Sequence, residues 1–560
     1  MFYDITLYIA LVIFGLGLVY KISGWFRYKI GMDAVEIPAS TRVYAAIKGI
    51  ISTLFSMKVF TLLRVFVLDV ILQIRILRED FLRWFMHMCI FGGFMLLLLM
   101  HALDNFITSP LFTDYYSTLN PFMFLRDLFG ALVILGLGLA LYRRFILKVP
   151  RLTTTARDHY AIIILAVIMI SGIFLEGSKI VSYSTYQEMV EDYGVLEGKK
   201  EFRSLEAFWV EEFETVSPDL KGPFDAKTLE LGKELHEMSC VDCHSRPQWA
   251  FMGYGIAKAM KPVALSLDRA NISALLWYIH FLACFIALAY LPFSKFFHIL
   301  ASPLSLLVNA VMEKGESDRA NIATKQAIEL DACTGCGTCS LRCSVAVVLE
   351  EIPNVNILPS EKMVSLKALA SGKELSAKEL RMIQEGAYLC TNCKRCTVVC
   401  PVGINLQDLW VNLQEYLVQQ GYPEPVVWAR EAIGTEFNPV DMQDKVLSLI
   451  PADTGLQSGA TLSAEVNTFS VCFGCKNCTT VCPVVGNYDN PQEVLGLLPH
   501  QIMHSVGLGL TDLALGSRML WDCVTCYQCQ EHCPQGVCVT DLFYELKNLA
   551  FRHLNKKTSL

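Results

Sequence analysis

Cys333-Thr334-Gly335-Cys336-Gly337-Thr338-Cys339-Ser340-Leu341-Arg342-Cys343 decides how the C-terminal half of this chain folds. Its spacing, C-x2-C-x2-C-x3-C, recurs at Cys390, Cys393, Cys396 and Cys400. It appears again at Cys472, Cys475, Cys478 and Cys482, and finally at Cys523, Cys526, Cys529 and Cys533. A cubic iron–sulfur cluster needs four thiolates converging on its corners, which three closely spaced cysteines and one remote cysteine supply. Structural zinc would instead call for paired C-x2-C knuckles. Four [4Fe–4S] clusters are therefore expected.

In two-cluster ferredoxins the fourth cysteine of each run ligates the neighbouring cluster. That rule groups Cys333, Cys336, Cys339 with Cys400, and Cys390, Cys393, Cys396 with Cys343. It likewise groups Cys472, Cys475, Cys478 with Cys533, and Cys523, Cys526, Cys529 with Cys482. Proline follows the last cysteine at Pro401, Pro483 and Pro534, whereas Ser344 takes that place in the first run. More than forty residues separate the runs of each pair, with helix-favouring content at Ser360–Ala387 and Gln492–Trp521. Tyr388-Leu389-Cys390-Thr391-Asn392-Cys393 and Cys533-Pro534-Gln535-Gly536-Val537 resemble the α-helical ferredoxin found in the iron–sulfur subunits of heterodisulfide reductase and fumarate reductase. The resemblance implies two such modules, at about 320–422 and 460–550, joined by a 423–459 linker that contains Pro423, Pro425, Pro439, Pro451 and Gly455.

The N-terminal half has a different character. The chain has 560 residues, 53% of them hydrophobic, and carries a net charge of −7. That length exceeds one core, and the charge, with no basic stripe, argues against nucleic acid. Five apolar stretches are long enough to cross a bilayer: Phe2–Tyr20, Trp84–Leu103, Phe122–Leu141, Tyr160–Leu175 and Ile272–Phe293. The first lacks a basic leader and a small-residue cleavage site, so it reads as a retained span. Basic residues fill the loop after the first span (Lys21, Arg27, Lys29, Arg42, Lys48) and the loop after the third (Arg143, Arg144, Lys148, Arg151, Arg157). By the positive-inside rule these loops are cytoplasmic. The N-terminus and the 179–271 loop then face outward, and the cluster modules lie in the cytoplasm of a bacterial or archaeal cell. The apolar part of the first loop, Ile50–Leu77, reads as an interfacial or re-entrant helix.

Histidines mark both ends of the second and fifth spans. His87 and His101 are about 40° apart around a helix and about 21 Å apart along it, and His280 and His298 are about five turns apart. Antiparallel packing would pair His87 with His298 and His101 with His280, the ligand sets of two b haems. His159 reads as interfacial. Arg83-Trp84-Phe85-Met86-His87, Pro292-Phe293-Ser294-Lys295-Phe296-Phe297-His298 and the five spans resemble the respiratory nitrate reductase gamma subunit superfamily. Within it, they are most similar to the b-cytochrome component of heterodisulfide reductase and the membrane component of the dissimilatory-sulfite-reductase-associated complex. The likeness covers about residues 1–300 outside the 179–271 loop. In the nitrate reductase relative the helix-two histidines lie closer together than His87 and His101.

Inside the loop, Cys240-Val241-Asp242-Cys243-His244 has the spacing of covalent c-haem attachment, with His244 as proximal ligand. Met252, Met260 and His236 are candidates for the sixth ligand. Cys89 and Cys284 read as buried thiols and Cys538 as a packing residue; Gly136-Leu137-Gly138 reads as helix packing. The expected fold is all-α: a five-helix transmembrane bundle with an extracytoplasmic c-haem loop, followed by two α-helical ferredoxin domains.

The expected function is a quinone-linked oxidoreductase subunit that moves electrons between menaquinone, an outer c-type cytochrome and a cytoplasmic heterodisulfide-reductase-like catalytic subunit. A chain that reduces disulfides itself, or a haem-based redox sensor, are the alternatives. The catalytic subunits of the heterodisulfide reductase family use adjacent cysteines, and no Cys-Cys pair occurs in this sequence.

Overall fold

A computed structural model describes residues 1–112, 115–152, 154–313, 315–350, 352–422 and 467–557. The expected linker at 423–459 and the first residues of the second module lie outside this set. The described residues are helical, with no strand among them. They divide into two compact units: Met1–Lys21 with Ile71–Phe297, and Ile22–Val70 with His298–Leu560.

Among the described residues, five helices are long and apolar enough to cross a membrane: Phe2–Trp25, Phe81–Ala102, Phe122–Ile146, Ala156–Val181 and Ile272–Phe293. At 1.5 Å per residue, 22 residues reach about 33 Å, enough for a hydrocarbon core. In the first unit, small residues let these helices approach closely. A Cβ on Gly93 would lie 2.7 Å from the Phe129 carbonyl, and one on Gly136 would lie 2.8 Å from that of Met86. Asp80 caps helix Phe81–Leu97 by accepting from the Arg83 N–H at 3.0 Å, and also pairs with Arg143 at 2.7 Å. Thr155 and Asp158 form a capping box at the start of Ala156–Val181. Buried Asp158 also takes Arg144 at 2.8 Å and Lys295 at 2.5 Å.

Within the first unit, the segment before the last long helix has a small hydrophobic core of its own. Helices Tyr183–Tyr193, Lys199–Glu212 and Ala226–Ser239 close around Tyr186, Leu205, Trp209, Phe213 and Leu235. Helix Phe251–Met260 lies against Ala156–Val181, where Gly177 leaves a Cβ only 2.7 Å from Ile256.

In the second unit, the segment after the first long helix docks on the first cysteine module. Arg42 in helix Ala39–Leu54 is buried; it donates to Thr324 Oγ1 (3.2 Å) and to the carbonyls of Tyr28 (2.8 Å) and Trp25 (2.6 Å). Ile47, Ile50, Ile51 and Leu54 on the same helix remain exposed. The first module uses helices Arg319–Ala332, Pro359–Ala370, Ala377–Tyr388 and Leu406–Gln419. The second packs Pro499–Gly507 and Val539–Lys557 around Ile502, Met503, Leu520, Leu542 and Phe543.

Candidate redox centres

All four cysteine runs adopt one backbone conformation. The residues two and four places after the first cysteine lie in the left-handed region: Gly335 and Gly337, Asn392 and Lys394, Gly474 and Lys476, Thr525 and Tyr527. A one-turn helix follows each, at Thr338–Leu341, Arg395–Val398, Asn477–Thr480 and Gln528–Glu531. Alternating right- and left-handed residues turn successive N–H groups toward one concavity, which suits an anionic cluster. Glycine serves this shape at Gly335, Gly337 and Gly474, a signal that the cysteine spacing overshadowed. At Gly474 it is also required sterically, because a Cβ would sit 2.3 Å from His504 Nε2.

The thiols gather across the runs. Cys339 feels Cys336, Cys333, Cys400 and also Cys396, while Cys343 feels Cys390 and Cys393. Cys478 feels Cys472, Cys475, Cys533 and also Cys529, and Cys482 feels Cys523 and Cys526. Each fourth cysteine therefore keeps company with the other run of its module. Burial, with the neighbouring Cys336, pushes Cys400 up to about 12, and burial pushes Cys343 and Cys396 to about 11. Such a cradle holds protons until iron displaces them. A small pocket opens among Cys482, Cys523, Cys526 and Cys529, walled by Met519 and Phe543. Backbone N–H groups aim at two of the crossing sulfurs, Ile404 N at Cys400 Sγ (3.4 Å) and Val537 N at Cys533 Sγ (3.3 Å).

Two of the four histidines meet in the first unit. His101 and His280 have ring centroids 6.1 Å apart at 51°. His280 Nδ1 lies 3.0 Å from the Ile168 carbonyl and 3.2 Å from Ser171 Oγ. The carbonyl requires a proton on Nδ1, which leaves the Nε2 lone pair for a metal. Gly172 makes the room, since a Cβ there would come 3.0 Å from the imidazole. His101 sits in a π-turn, Leu98–Ala102, where the Leu99 carbonyl accepts from Thr108 Oγ1 at 2.6 Å. Such wide turns re-aim a side chain and cluster at functional positions. His87, also in the first unit, contacts Gln73 Oε1 through Nδ1 at 2.7 Å. His298 begins helix His298–Val311 of the second unit.

Cys240 and His244 extend helix Ala226–Ser239 by a turn, with the His244 N–H donating to the Cys240 carbonyl at 2.9 Å. The His244 ring lies 5.6 Å from that of Trp209. Thr118 Oγ1 donates to the Cys243 carbonyl at 2.5 Å, tying the motif to the connection between the second and third long helices. Buried His236 is caged by Phe208, Trp209 and Phe213 and has no partner for Nδ1. Burial pulls its pKa down to about 4. Met252 donates its backbone N–H to Asp127, and Met260 ends its helix. Cys89 is buried, and Cys538 makes a backbone bond to Thr468 Oγ1 at 2.9 Å.

Comparison with known proteins fits this iron–sulfur geometry. Residues 329–404 and 464–534 each match a 4Fe-4S dicluster domain. The chain is 23% identical over 418 residues to EtfAB:quinone oxidoreductase of Syntrophomonas wolfei, covering 66% of this chain and 50% of that protein. It is 29% identical over 161 residues to one component of the dihydromethanophenazine:CoB–CoM heterodisulfide reductase of Methanosarcina acetivorans, covering 26% and 38%. The iron–sulfur component of the CoB–CoM heterodisulfide reductase of Methanopyrus kandleri is 38% identical over 86 residues, covering 15% and 41%. The chain thus spans half or less of each relative's length. No solved structure matches it. The chain has an iron–sulfur electron-transfer function related to that of these oxidoreductases.

Proposed function

We propose that this chain is the membrane-anchored electron-transfer subunit of a quinone-linked oxidoreductase. It connects the menaquinone pool, and an outer c-type cytochrome, with a cytoplasmic heterodisulfide-reductase-like catalytic subunit. The observation that carries this reading is the crossed gathering of thiols in two tandem modules on the same chain as five apolar helices. The sixteen cysteines of the four runs would hold four [4Fe–4S] clusters. His87, His101, His280 and His298 would hold two b haems, and Cys240, Cys243 and His244 one c haem.

These groups supply one-electron chemistry when bound, and the protein's part is to place and tune them. Ile168 and Ser171 hold the His280 ring, Thr118 holds the Cys240–His244 turn, and the left-handed loops aim N–H groups at the thiols. The exposed apolar residues of helix Ala39–Leu54 suit a helix lying on the membrane surface. The match to EtfAB:quinone oxidoreductase covers 66% of the chain, which carries it beyond the cluster modules and favours quinone as the membrane substrate. With no adjacent cysteines in the sequence, disulfide chemistry belongs to another subunit.

Purification from membranes with bound partners, followed by optical and EPR spectra at controlled potential, tests this. Spectra of b and c haems and of four clusters, with haem reduction by a menaquinol analogue, are expected. Clusters without haem would leave an iron–sulfur carrier and remove the transmembrane role.

A further inference from the structure

The two cysteine runs lie 47 residues apart in the first module and 41 in the second, but the helix that follows the first run opens alike in both, and one buried position in it differs. Leu358-Pro359-Ser360-Glu361-Lys362-Met363 opens a helix in the first module, and Leu498-Pro499-His500-Gln501-Ile502-Met503 opens its counterpart in the second. A hydrogen bond common to both sets the register. The Ser360 N–H donates to Ser340 Oγ at 3.0 Å, and the His500 N–H donates to Thr479 Oγ1 at 3.2 Å. Ser340 and Thr479 each directly follow the third cysteine of their run. Lys362 therefore occupies the place of Ile502, and both are buried, at 1% and 0% exposure.

Lys362 Nζ donates to the Gly386 carbonyl at 2.7 Å and lies 4.7 Å from the centre of the Trp410 ring. In the second module, Met519 stands at the position of Gly386, four residues before the first cysteine of its run. Phe543 stands at that of Trp410, ten residues after the last. Both line the pocket of Cys482, Cys523, Cys526 and Cys529; no cation lines the pocket itself, and Lys547 Nζ donates to the Cys523 backbone carbonyl at 3.0 Å. A buried lysine is costly unless negative charge compensates it. Burial lowers the Lys362 pKa, and Cys390, Cys343 and Cys396 act to raise it. One carbonyl, one indole face and these three sulfurs are its compensation.

The same set has a second distinctive neighbour. Ser344, where the other runs have proline, places Oγ 3.2 Å from both Cys393 Sγ and Thr391 Oγ1. A metal-bound sulfur can only accept, so the hydroxyl donates to it. The Ser344 carbonyl accepts from Asn477 Nδ2 at 3.2 Å, and Asn477 lies between Cys475 and Cys478 of the second module. The Cys343 end of this set is thus the point where the modules touch.

We propose that Lys362, assisted by Ser344, makes the cluster held by Cys390, Cys393, Cys396 and Cys343 more readily reduced than its counterpart held by Cys523, Cys526, Cys529 and Cys482. It would then be a collecting point for electrons at the junction of the modules. One-electron reduction adds a negative charge to a cluster, and a fixed cation and a hydrogen bond to its sulfur both favour that. The counterpart cluster, where Ile502 takes the place of Lys362 and the Lys547 ammonium is held on the Cys523 backbone carbonyl, lies at a lower potential. The inference rests on the reading that these cysteines bind [4Fe–4S] clusters.

An EPR-monitored redox titration of the full chain tests it, with iron and sulfide content measured alongside. Cys393→Ser perturbs the spectrum of this cluster and so identifies its signal. In the wild type that signal must have a higher midpoint than the signal that Cys526→Ser perturbs; a lower one overturns the proposal. In Lys362→Met with full iron content, its reduction equilibrium should fall at least tenfold, about 59 mV for one electron, with the others unmoved. An unmoved midpoint overturns the proposal, and if this variant loses iron the wild-type ranking decides. Iron short of four clusters in the wild type would instead refute the cluster reading itself.

Discussion

The indole N–H of Trp25 donates to Asp331 Oδ2 at 2.8 Å, joining the end of the first long helix to a residue two places before Cys333. Lys367 holds the other carboxylate oxygen at 2.5 Å, and the Asp331 side chain is 1% exposed. Replacing Asp331 by Ala leaves Lys367 and Trp25 without this acceptor. The expected loss is about 1–3 kcal/mol, that of a partner removed from a buried polar group. Thermal unfolding followed by bleaching of the cluster absorbance measures it, and Trp25→Phe should lose less, about 1 kcal/mol.

His280→Ala should remove one b haem from purified membranes, as counted by the pyridine haemochrome spectrum. Gly172→Val is the subtler variant, since it keeps the ligand but drives side-chain atoms into the space of the imidazole. It too should lower haem content. Unchanged haem in His280→Ala would refute ligation by this residue.

Assembly of the clusters should depend on pH. Cys400, raised to about 12, and Cys475, raised to about 11, are neutral thiols in the iron-free fold. Iron must displace their protons, so in vitro reconstitution should release protons and quicken as pH rises. The iron-free fold responds in the opposite sense. The pKa values of Cys400 and Cys475 lie above the unfolded value near 9.0, so the stability these two contribute is complete below pH 9 and lost as pH climbs toward 12. Stopped-flow reconstitution and denaturant melts of the iron-free chain separate the two effects.

The segment between the fourth and fifth long helices should weaken in acid. His236 has a folded pKa of about 4 against 6.5 for the free side chain, so its contribution is present above pH 6.5 and lost as pH falls toward 4. Hydrogen exchange across residues 183–244 should rise over that window. His236→Phe, which removes the titrating group and keeps an aromatic ring, should flatten the rise.

Asn477→Ala deletes the bond to the Ser344 carbonyl. The loss of about 1 kcal/mol expected for one hydrogen bond should loosen the contact between the modules without removing a thiol. Weaker magnetic interaction between their clusters, at unchanged iron content, is the expected EPR result.

Much of this protein is legible from spacing alone. The five apolar stretches became five long helices; the first, third and fourth run on to Phe2–Trp25, Phe122–Ile146 and Ala156–Val181, and the second starts earlier, at Phe81, behind the Asp80 cap. The two cysteine modules match dicluster domains at 329–404 and 464–534. Other features were not legible. Hydropathy described Ile50–Leu77 but not the burial of Arg42 against Thr324, which places residues 22–70 with the second unit. Helical arithmetic treated His101 as part of a regular helix, and the π-turn at Leu98–Ala102 changes its bearing.

Sequence by itself determined which atoms could bind iron and how long each apolar helix could be, because both follow from covalent spacing along a local chain. Tertiary structure decided what surrounds those atoms. Lys362 and Ile502 occupy matching places in helices that begin alike, and nothing in their local pattern says that one sits among cluster thiols. That follows only when helix Pro359–Ala370 packs beside Gly386 and Trp410, residues brought close by the fold and not by the chain.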